Sequence, residues 1–273
     1  AAVVTATKAG YFKGIKTYIA ETGKSAFFRI KLIPKSNAGS FDAATGGTVA
    51  ATGGLSILFP ANAVVNASTN AAYSGMVNVA VHWINPSATD LPQVMPGDLR
   101  GLDEDGYLQV LTTYGMAAVE MTGSGGELLQ IASGSKATIT FPIPAALSGS
   151  APASLPLWYF DESMGLWKQE GSATKSGSNY VGDVAHFSYW NCDVPSNYVQ
   201  FNCTIVDGSG QAIPHVLVKI SRVSNPNSAG YGYTDSSGYT GGAVPNNAQL
   251  LLEVFPDWNC GTAIYSQTFT TGS

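Results

Sequence analysis

The chain has 273 residues, a formal net charge of −5, 31 glycines and only 11% charged residues, whereas globular domains ordinarily carry about 25%. So few charges argue against a soluble metabolic enzyme, which keeps Lys and Glu on its surface for solubility, and the 45% hydrophobic content argues against disorder. The charges form no basic stripe and the apolar runs have only strand length, so we expect neither a nucleic-acid partner nor a membrane span in this segment.

Residues 1–36 open the chain as an incomplete unit. Residues 26–33 alternate apolar and polar side chains in their second half, which predicts a strand. The whole segment holds two or three such strands and a loop, too few for a closed sandwich. We therefore expect residues 1–36 to be the C-terminal strands of a module that begins upstream, followed by a linker-like stretch at residues 37–47.

A first β-sandwich is predicted over residues 37–122. Residues 77–84 alternate along their whole length, as a half-buried strand does. Residues 61–67, directly after Pro60, are the one candidate helix of the chain. The acidic run at residues 103–106 ends in glycine, so we interpret it as a solvated hairpin turn. Calcium binding is the alternative, but the run lacks the further spaced ligands of a calcium loop.

A second β-sandwich is predicted over residues 123–195, after a glycine-rich joint at residues 123–126. Its clearest element is an aromatic hairpin at residues 157–167, which carries Asp161 and Glu162 at its tip.

A third β-sandwich is predicted over residues 196–273. Residues 216–220 and 250–255 are predicted strands, and Asp207 and Ser237, each followed by glycine, mark turns. The fold class that the whole chain indicates is all-β, with tandem immunoglobulin-like or transthyretin-like sandwiches and little or no helix.

The third unit carries motifs of a known module. Residues 206–220, 233–241 and 244–247 resemble the carboxypeptidase regulatory-like module, a transthyretin-type sandwich. Residues 1–36 resemble the closing strands of another copy. The resemblance implies an accessory domain, with no catalysis and no cofactor.

The two middle units carry motifs of a second family. The matching segments are residues 53–63, 73–75, 95–98, 157–167 and 186–191. They resemble the tandem ZU and UPA sandwiches that adjoin death domains in netrin receptors and ankyrins, and related regions of large Bacteroidota surface proteins. The resemblance implies a surface protein in which regulatory-like modules flank a ZU/UPA-like region.

This second resemblance singles out His186, Phe187 and Ser188. In some relatives a His-Phe-Ser sequence cleaves its own backbone between Phe and Ser. The implied chemistry is attack of the Ser188 hydroxyl on the Phe187 carbonyl, with proton transfer assisted by His186. The alternative, which we favour, is an ordinary strand through these residues, because the reaction needs a strained peptide.

Three cysteines leave one without a partner. Residues 199, 201, 203 and 205 share one strand parity, so Cys203 should point inward as a free, small core residue. Cys192 precedes the last unit, and Cys260 lies in the turn between its final two strands, which in the transthyretin-type fold faces the same end. We therefore expect a Cys192–Cys260 disulfide, which fits an oxidising compartment.

Aromatic residues are plentiful, and in alternating strands they more often fill the core than bind sugars. The tryptophans are Trp83, Trp158, Trp167, Trp190 and Trp258. Tyr231 and Tyr233, in a glycine-rich stretch, are the candidates for ligand contact. The histidines His82, His186 and His215 lie far apart without metal-site spacing, so we predict no metal.

The leading functional hypothesis is a non-catalytic structural or adhesive segment of an extracellular or cell-surface protein, or a fibre subunit. Its partners would be other protein chains, through self-assembly or surface contacts, and glycans are a further option. The incomplete first unit adds a variant in which a neighbouring chain supplies the missing strands. The alternatives are an autoproteolytic processing module that cleaves between Phe187 and Ser188, and a carbohydrate-binding module.

Overall fold

The computed structural model describes residues 2–20, 22–257 and 259–273. Strands make up 53% of the residues and helices 3%, so the predicted all-β class is confirmed. The helical pieces within the described ranges are α1 (Leu91–Val94) and a 3-10 turn (Ala145–Leu147). No described helix is long and apolar enough to cross a membrane.

The strands group into an N-terminal hairpin and a central unit whose strands share one sheet. The hairpin strands are β1 (Ala2–Ala6) and β2 (Gly14–Tyr18). The central strands are β3 (Asn37–Asp42), β4 (Gly47–Ala50), β5 (Ser56–Phe59), β6 (Val64–Asn66), β7 (Met76–Ile84), β8 (Arg100–Leu102), β9 (Leu108–Thr122), β10 (Leu128–Ile131), β11 (Ala137–Pro142), β12 (Ser154–Asp161), β13 (Leu166–Ser176), β14 (Asn179–Val184) and β15 (Tyr189–Ser196).

The central sheet forms a nearly closed ring. Its main path runs β3-β7-β9-β15-β12-β13-β14-β11-β5-β4, and a bridge between Asp42 and Gly46 links the two end strands. Strands from residues 37–122 and 123–195 interleave along this path, because β15 pairs with β9 and β11 pairs with β5. The structure therefore places the two regions that were predicted as separate sandwiches in a single sheet.

Residues 123–126, which were predicted as a joint between domains, form the tight turn of the β9–β10 hairpin. The Gly126 N–H donates to the Gly123 carbonyl at 3.0 Å, and the Gly123 N–H donates to the Glu127 carbonyl at 2.9 Å. Glycine punctuation thus marks a reversal of direction here, and the sheet continues on both sides of it.

Two hydrophobic clusters accompany the central sheet. The first draws fully buried residues from both predicted sandwiches, such as Leu55 and Ile57 with Phe141 and Leu157. The second cluster contains Trp158 and Trp167 of the central strands together with residues of the N-terminal segment and of the segment around α1. Burial of so much apolar surface on both sides of the strands is the main stabilising term of this unit.

The N-terminal segment packs on the central unit. Phe12, Ile15 and Ile33 are buried in the second hydrophobic cluster, and the β1–β2 hairpin pairs antiparallel from Ala2–Ala6 to Gly14–Tyr18. Residues 26–33 are not a strand, contrary to the prediction from their alternation.

The alternation in residues 26–33 instead reflects two different contacts. Ile30 and Leu32 lie against Gly14 of the hairpin, while Phe27 reaches the C-terminal sandwich, where it stacks on His215. Residues 61–67 likewise contain no helix, because Val64–Asn66 pairs with β10 as a strand.

The C-terminal sandwich consists of a two-stranded sheet, β16-β19, and a four-stranded sheet, β18-β17-β20-β21. Its strands are β16 (Tyr198–Thr204), β17 (Leu217–Arg222), β18 (Asn225–Tyr233), β19 (Tyr239–Pro245), β20 (Gln249–Phe255) and β21 (Tyr265–Thr270). The strands predicted at residues 216–220 and 250–255 are β17 and β20. Only Asn197 separates β15 of the central unit from β16.

The predicted parity of β16 is confirmed. Val199, Phe201, Cys203 and Ile205 all pack against the core of the C-terminal sandwich. Alternation predicts this side-chain placement well because successive side chains of a strand point to opposite faces.

Candidate functional site

The candidate cleavage residues lie in an irregular bend and not in a strand. His186, Phe187 and Ser188 connect β14, which ends at Val184, to β15, which begins at Tyr189. Phe187 is 8% exposed, and its ring packs against Phe59 at a centroid distance of 5.5 Å. The bend therefore anchors its middle residue in the first hydrophobic cluster.

One side chain holds the Phe187 backbone at both of its polar groups. The Gln130 Nε2 donates to the Phe187 carbonyl at 3.0 Å, and the Phe187 N–H donates to Gln130 Oε1 at 2.7 Å. This amide takes the place of a strand partner, so the bend keeps its hydrogen bonds without regular sheet geometry. We call this arrangement the Gln130 clamp.

The His186 ring lies among aromatic and acidic groups. It packs edge-on against Tyr159 at 4.7 Å and tilted against Trp190 at 5.1 Å. Its Nε2 is 3.6 Å from Glu170 Oε2. Burial lowers the pKa of His186, although the Glu170 carboxylate opposes the shift. The shift favours the neutral imidazole, which is the form that a general base requires.

The Ser188 hydroxyl donates to the Tyr189 carbonyl at 3.2 Å. It is thus directed towards the following residue, and attack on the Phe187 carbonyl would require rotation about χ1. The structure brings the two reacting groups into one bend but shows the serine in another rotamer.

The acidic segments lie in turns. Residues 103–106 join β8 to β9, where the Asp103 carboxylate accepts from the Tyr107 N–H at 2.7 Å and from Gln109 Nε2 at 3.1 Å. Asp161 lies at the end of β12 and accepts from the hydroxyl of Ser163 at 2.6 Å. Hydrogen bonding to Ser163 lowers the pKa of Asp161. In the described ranges no three His, Cys, Asp or Glu residues are grouped to hold a metal ion.

All three cysteines are free, so the expected Cys192–Cys260 disulfide is not present. Cys192 is 0% exposed, and its Sγ donates to the Gly115 carbonyl at 3.3 Å inside the central unit. Cys260 lies on a loop of the C-terminal sandwich, where its Sγ donates to the Thr262 carbonyl at 3.4 Å. The expectation failed because the parity of β15 turns Cys192 into the first hydrophobic cluster, away from the last unit. Cys203 is free and only partly buried.

The tryptophans serve mainly the core. Trp158, Trp167 and Trp190 are 0% exposed, and Trp83 is partly buried against the first hydrophobic cluster. Trp258 lies outside the described residues. Among the described residues, the four tryptophans do not form an exposed row for stacking on sugars.

A cavity of about 440 Å³ lies where the N-terminal segment, the central unit and the C-terminal sandwich meet. Volumes of this size are typical of small-ligand sites, which often occur at joints between units. The lining stretches of three or more residues are 17–19, 24–28, 98–100, 110–112, 200–202, 220–222, 229–233 and 239–245. Tyr231 and Tyr233, the predicted contact residues, are among them.

On the side of the C-terminal sandwich, the cavity is lined by β18 and β19, which are both edge strands. In the described sheets β18 pairs only with β17, and β19 pairs only with β16. Unpaired strand edges present main-chain N–H and C=O groups to any molecule that lies beside them.

Two of the lining residues are glycines that leave space beside the backbone. Gly230 lies opposite Ile220, and Gly242 lies opposite Phe201. Directly opposed residues project to the same face of a sheet, so both glycines lie on the same face as their core-packing partners, where Gly242 is partly buried and Gly230 is exposed. A Cβ atom added at either position would have no neighbour within 4 Å.

The charged lining residues in the described part of the chain are Lys24, Asp98, Arg100 and Arg222. Arg100 pairs with Asp98 at 2.7 Å, and the Arg222 guanidinium donates to the Ser196 hydroxyl at 3.1 Å. The cavity therefore carries a positive balance in a chain whose net charge is negative.

Residues 24–29, which we call the strap, close one side of the cavity. Lys24 lies over the Tyr239 ring at 4.0 Å, Phe27 stacks on His215 at 4.1 Å, and Arg29 approaches Asp257 at 3.6 Å. Sequence reasoning missed the strap. The available signal was the set of Lys24, Phe27, Phe28 and Arg29, but these residues adjoin a stretch whose alternation predicts a strand.

Comparison with known proteins gives partial matches to a mammalian protein. The chain is 34% identical over 108 residues to human cartilage intermediate layer protein 2, covering 39% of this chain and 9% of that protein. The mouse protein of the same name is 34% identical over 106 residues, covering 38% of this chain and 9% of its own length. The chain thus spans less than a tenth of the curated relatives that it matches. No family model matches it.

Proposed function

We propose that this chain is a non-catalytic structural or adhesive segment of an extracellular surface protein or fibre. The observation that carries the proposal is the joint between the central unit and the C-terminal sandwich. A single residue, Asn197, connects them along the chain, and the strap adds contacts to His215, Tyr239 and Asp257. Such a joint suits a segment that holds two units in a fixed orientation.

The partial similarity to cartilage intermediate layer protein 2 supports an extracellular location, because that protein belongs to the extracellular matrix. The sequence motifs further support a surface protein of the Bacteroidota type, with regulatory-like modules flanking a ZU/UPA-like region. In this proposal the partners are other protein chains.

Small-angle X-ray scattering tests the fixed joint. Wild type should scatter as one rigid particle, and Phe27→Ala, which removes the stack on His215, should scatter as two units with variable separation. Tyr107→Ala, at a 68% exposed position in the β8–β9 turn, is the matched control and should leave the curve unchanged. A flexible wild type would contradict the proposal, and negative-stain microscopy of the same sample would distinguish filaments from single particles.

The cavity supports the adhesive form of the proposal. It offers free strand edges, aromatic side chains and excess positive charge to a partner. A glycan array and a peptide array with the intact chain distinguish a sugar ligand from a protein partner. Any array signal should disappear in Gly242→Leu, which fills the cavity, and a signal that persists would assign binding to another surface.

Autoproteolysis between Phe187 and Ser188 is the second candidate, and the Gln130 clamp favours it. In this reaction Ser188 Oγ bonds to the Phe187 carbonyl carbon and the Phe187–Ser188 C–N bond breaks, giving an ester and a free Ser188 amine. Water then hydrolyses the ester. The Gln130 Nε2 already donates to the oxygen that becomes the oxyanion, so it would stabilise the developing charge.

Denaturing gel electrophoresis of freshly purified protein tests this candidate. Cleavage predicts two fragments for wild type, one full-length band for Ser188→Ala, and slower fragment formation for Gln130→Ala. Ser163→Ala, in the β12–β13 turn, is the control and should match wild type. A full-length band in wild type after prolonged incubation would eliminate autoproteolysis.

A further inference from the structure

Three polar side chains are completely buried between β9 and β15. Thr113 of β9 and Asn191 and Asp193 of β15 are each 0% exposed. Thr113 lies directly opposite Asp193, and the register shifts between Asn191 and Asp193. Asn191 and Asp193 alternate with Trp190 and Cys192, which face the first hydrophobic cluster, so the three polar side chains meet on the opposite face of the sheet.

The three groups form a directed chain of hydrogen bonds. The Thr113 hydroxyl donates to Asn191 Oδ1 at 2.8 Å, and Asn191 Nδ2 donates to Asp193 Oδ2 at 2.5 Å. The Gly115 N–H donates to Thr113 Oγ1 at 3.2 Å. A hydroxyl oxygen is thus held beside an amide carbonyl, and the amide nitrogen is held against a carboxyl group.

The environment of the Asp193 carboxyl group favours its protonated form, which can both donate and accept a proton. Burial raises the pKa of Asp193 well above its usual range, although the Thr113 hydroxyl, the Tyr114 N–H and the Asn191 amide oppose the shift. A buried carboxylate without a cationic partner is costly, so burial favours the neutral acid.

We propose that Thr113 and Asn191 form an intramolecular ester that covalently joins β9 to β15, with Asp193 transferring the proton. Thr113 Oγ1 bonds to Asn191 Cγ, and the hydroxyl proton passes to the Asp193 carboxyl group. Asp193 protonates Nδ2, and the Cγ–Nδ2 bond breaks. Hydroxyl and amide become ester and ammonia, so atoms balance without an oxidant, a reductant or a co-reactant.

The surroundings favour this reaction in two ways. The hydroxyl and the amide are already in contact, and such preorientation replaces a bimolecular encounter by an intramolecular step. The site is closed to solvent, which protects the ester from hydrolysis, while the released ammonia can diffuse away and make the step irreversible.

Intact mass spectrometry of the full chain tests the proposal. Wild type should be lighter than its sequence by one ammonia molecule. Trypsin cuts after Lys and Arg, so Thr113 lies in the peptide 101–136 and Asn191 in the peptide 176–219. These two peptides should be recovered as one cross-linked species that hydroxylamine separates. Folded wild type that keeps its full mass after prolonged incubation would overturn the proposal.

Variants distinguish ester formation from other reactions that release ammonia. Thr113→Val should keep the full mass, while Thr113→Ser, which retains a hydroxyl, should still lose ammonia. Asp193→Asn should keep the full mass or react more slowly. Thr122→Val, at the far end of the same strand, is the control and should behave as wild type. A mass loss that persists in Thr113→Val would identify a succinimide at Asn191 and refute the cross-link.

Discussion

At the scale of single residues, the chain tolerates an unusual buried cation. Lys16 is 6% exposed, and its Nζ donates to the Met95 carbonyl at 2.6 Å. Burial lowers its pKa from 10.5 to about 7, although Asp98 opposes the shift. The folded state therefore disfavours the charged ammonium, and the side chain weakens the fold wherever it is protonated.

The first prediction follows from the sign of this shift. Between pH 7 and 10.5 the unfolded state binds more protons at Lys16 than the folded state, so the free energy of unfolding should rise with pH across that window. Lys16→Met removes the group and should be more stable than wild type at pH 7 by a few kcal/mol. The advantage should shrink towards pH 10.5.

Chemical denaturation of both proteins at several pH values provides the measurement. Lys31→Met, an exposed lysine paired with Asp90, is the control and should show no such pH-dependent difference. A stability difference between Lys16→Met and wild type that does not change with pH would contradict the assigned burial of the charge.

We predict opposite changes in stability for substitutions at two neighbouring glycines of β19. A Cβ at Gly242 would enter empty space, whereas a Cβ at Gly241 would lie 2.9 Å from the Phe201 carbonyl oxygen. Gly242→Val should therefore stabilise the C-terminal sandwich by about 1 kcal/mol, through added apolar burial and a less flexible unfolded chain. Gly241→Val should destabilise it by about 1–3 kcal/mol because the backbone must move.

Thermal unfolding of the two variants, compared with wild type, decides between these effects. Both substitutions add the same side chain at adjacent positions, so differences in composition cancel. Equal effects of the two substitutions would show that the cavity at Gly242 is not open in solution.

At the scale of secondary structure, alternation predicted individual strands and failed where a segment packs against two units. Residues 77–84 were predicted correctly because one face of β7 is buried over its full length. Residues 26–33 carry a similar pattern, yet their apolar side chains contact the N-terminal hairpin at one end and the C-terminal sandwich at the other. Local periodicity reports that side chains are buried but not which unit buries them.

The bend at residues 185–188 shows a second reason for failure. His186, Phe187 and Ser188 have a strand-like pattern, but the Gln130 clamp supplies the hydrogen bonds that a strand partner would otherwise provide. A glutamine 57 positions away in the sequence gives no local signal. The cavity was similarly hidden, since glycine-rich stretches predict turns more readily than an empty interior.

At the scale of the whole molecule, the interleaved sheet determines what can fold alone. The first hydrophobic cluster takes buried residues from both residues 37–122 and residues 123–195. Neither half contains a complete set of strand partners, because β9 depends on β15 and β5 depends on β11. The sequence predicted the strands but not their pairing across the two halves, because pairing between residues far apart in the sequence leaves no short-range pattern.

The third prediction is that residues 1–122 expressed alone do not fold, while residues 1–196 do. Removal of residues 123–196 exposes the apolar face of β5 and the edge of β9. The remaining strands of the sheet cannot cover these two surfaces. Two-dimensional NMR of both fragments gives the measurement. Dispersed, protected amide signals from residues 1–122 would show that the predicted first sandwich is an independent domain.

The single residue between β15 and β16 has a mechanical consequence. Tension applied to the C-terminal sandwich passes through Asn197 into β15, which lies between β9 and β12 in the middle of the ring. Pulling along β15 shears its antiparallel hydrogen bonds to both neighbours together, rather than peeling them apart one by one. The connection therefore directs an external force onto a strand that is hydrogen-bonded on both of its edges.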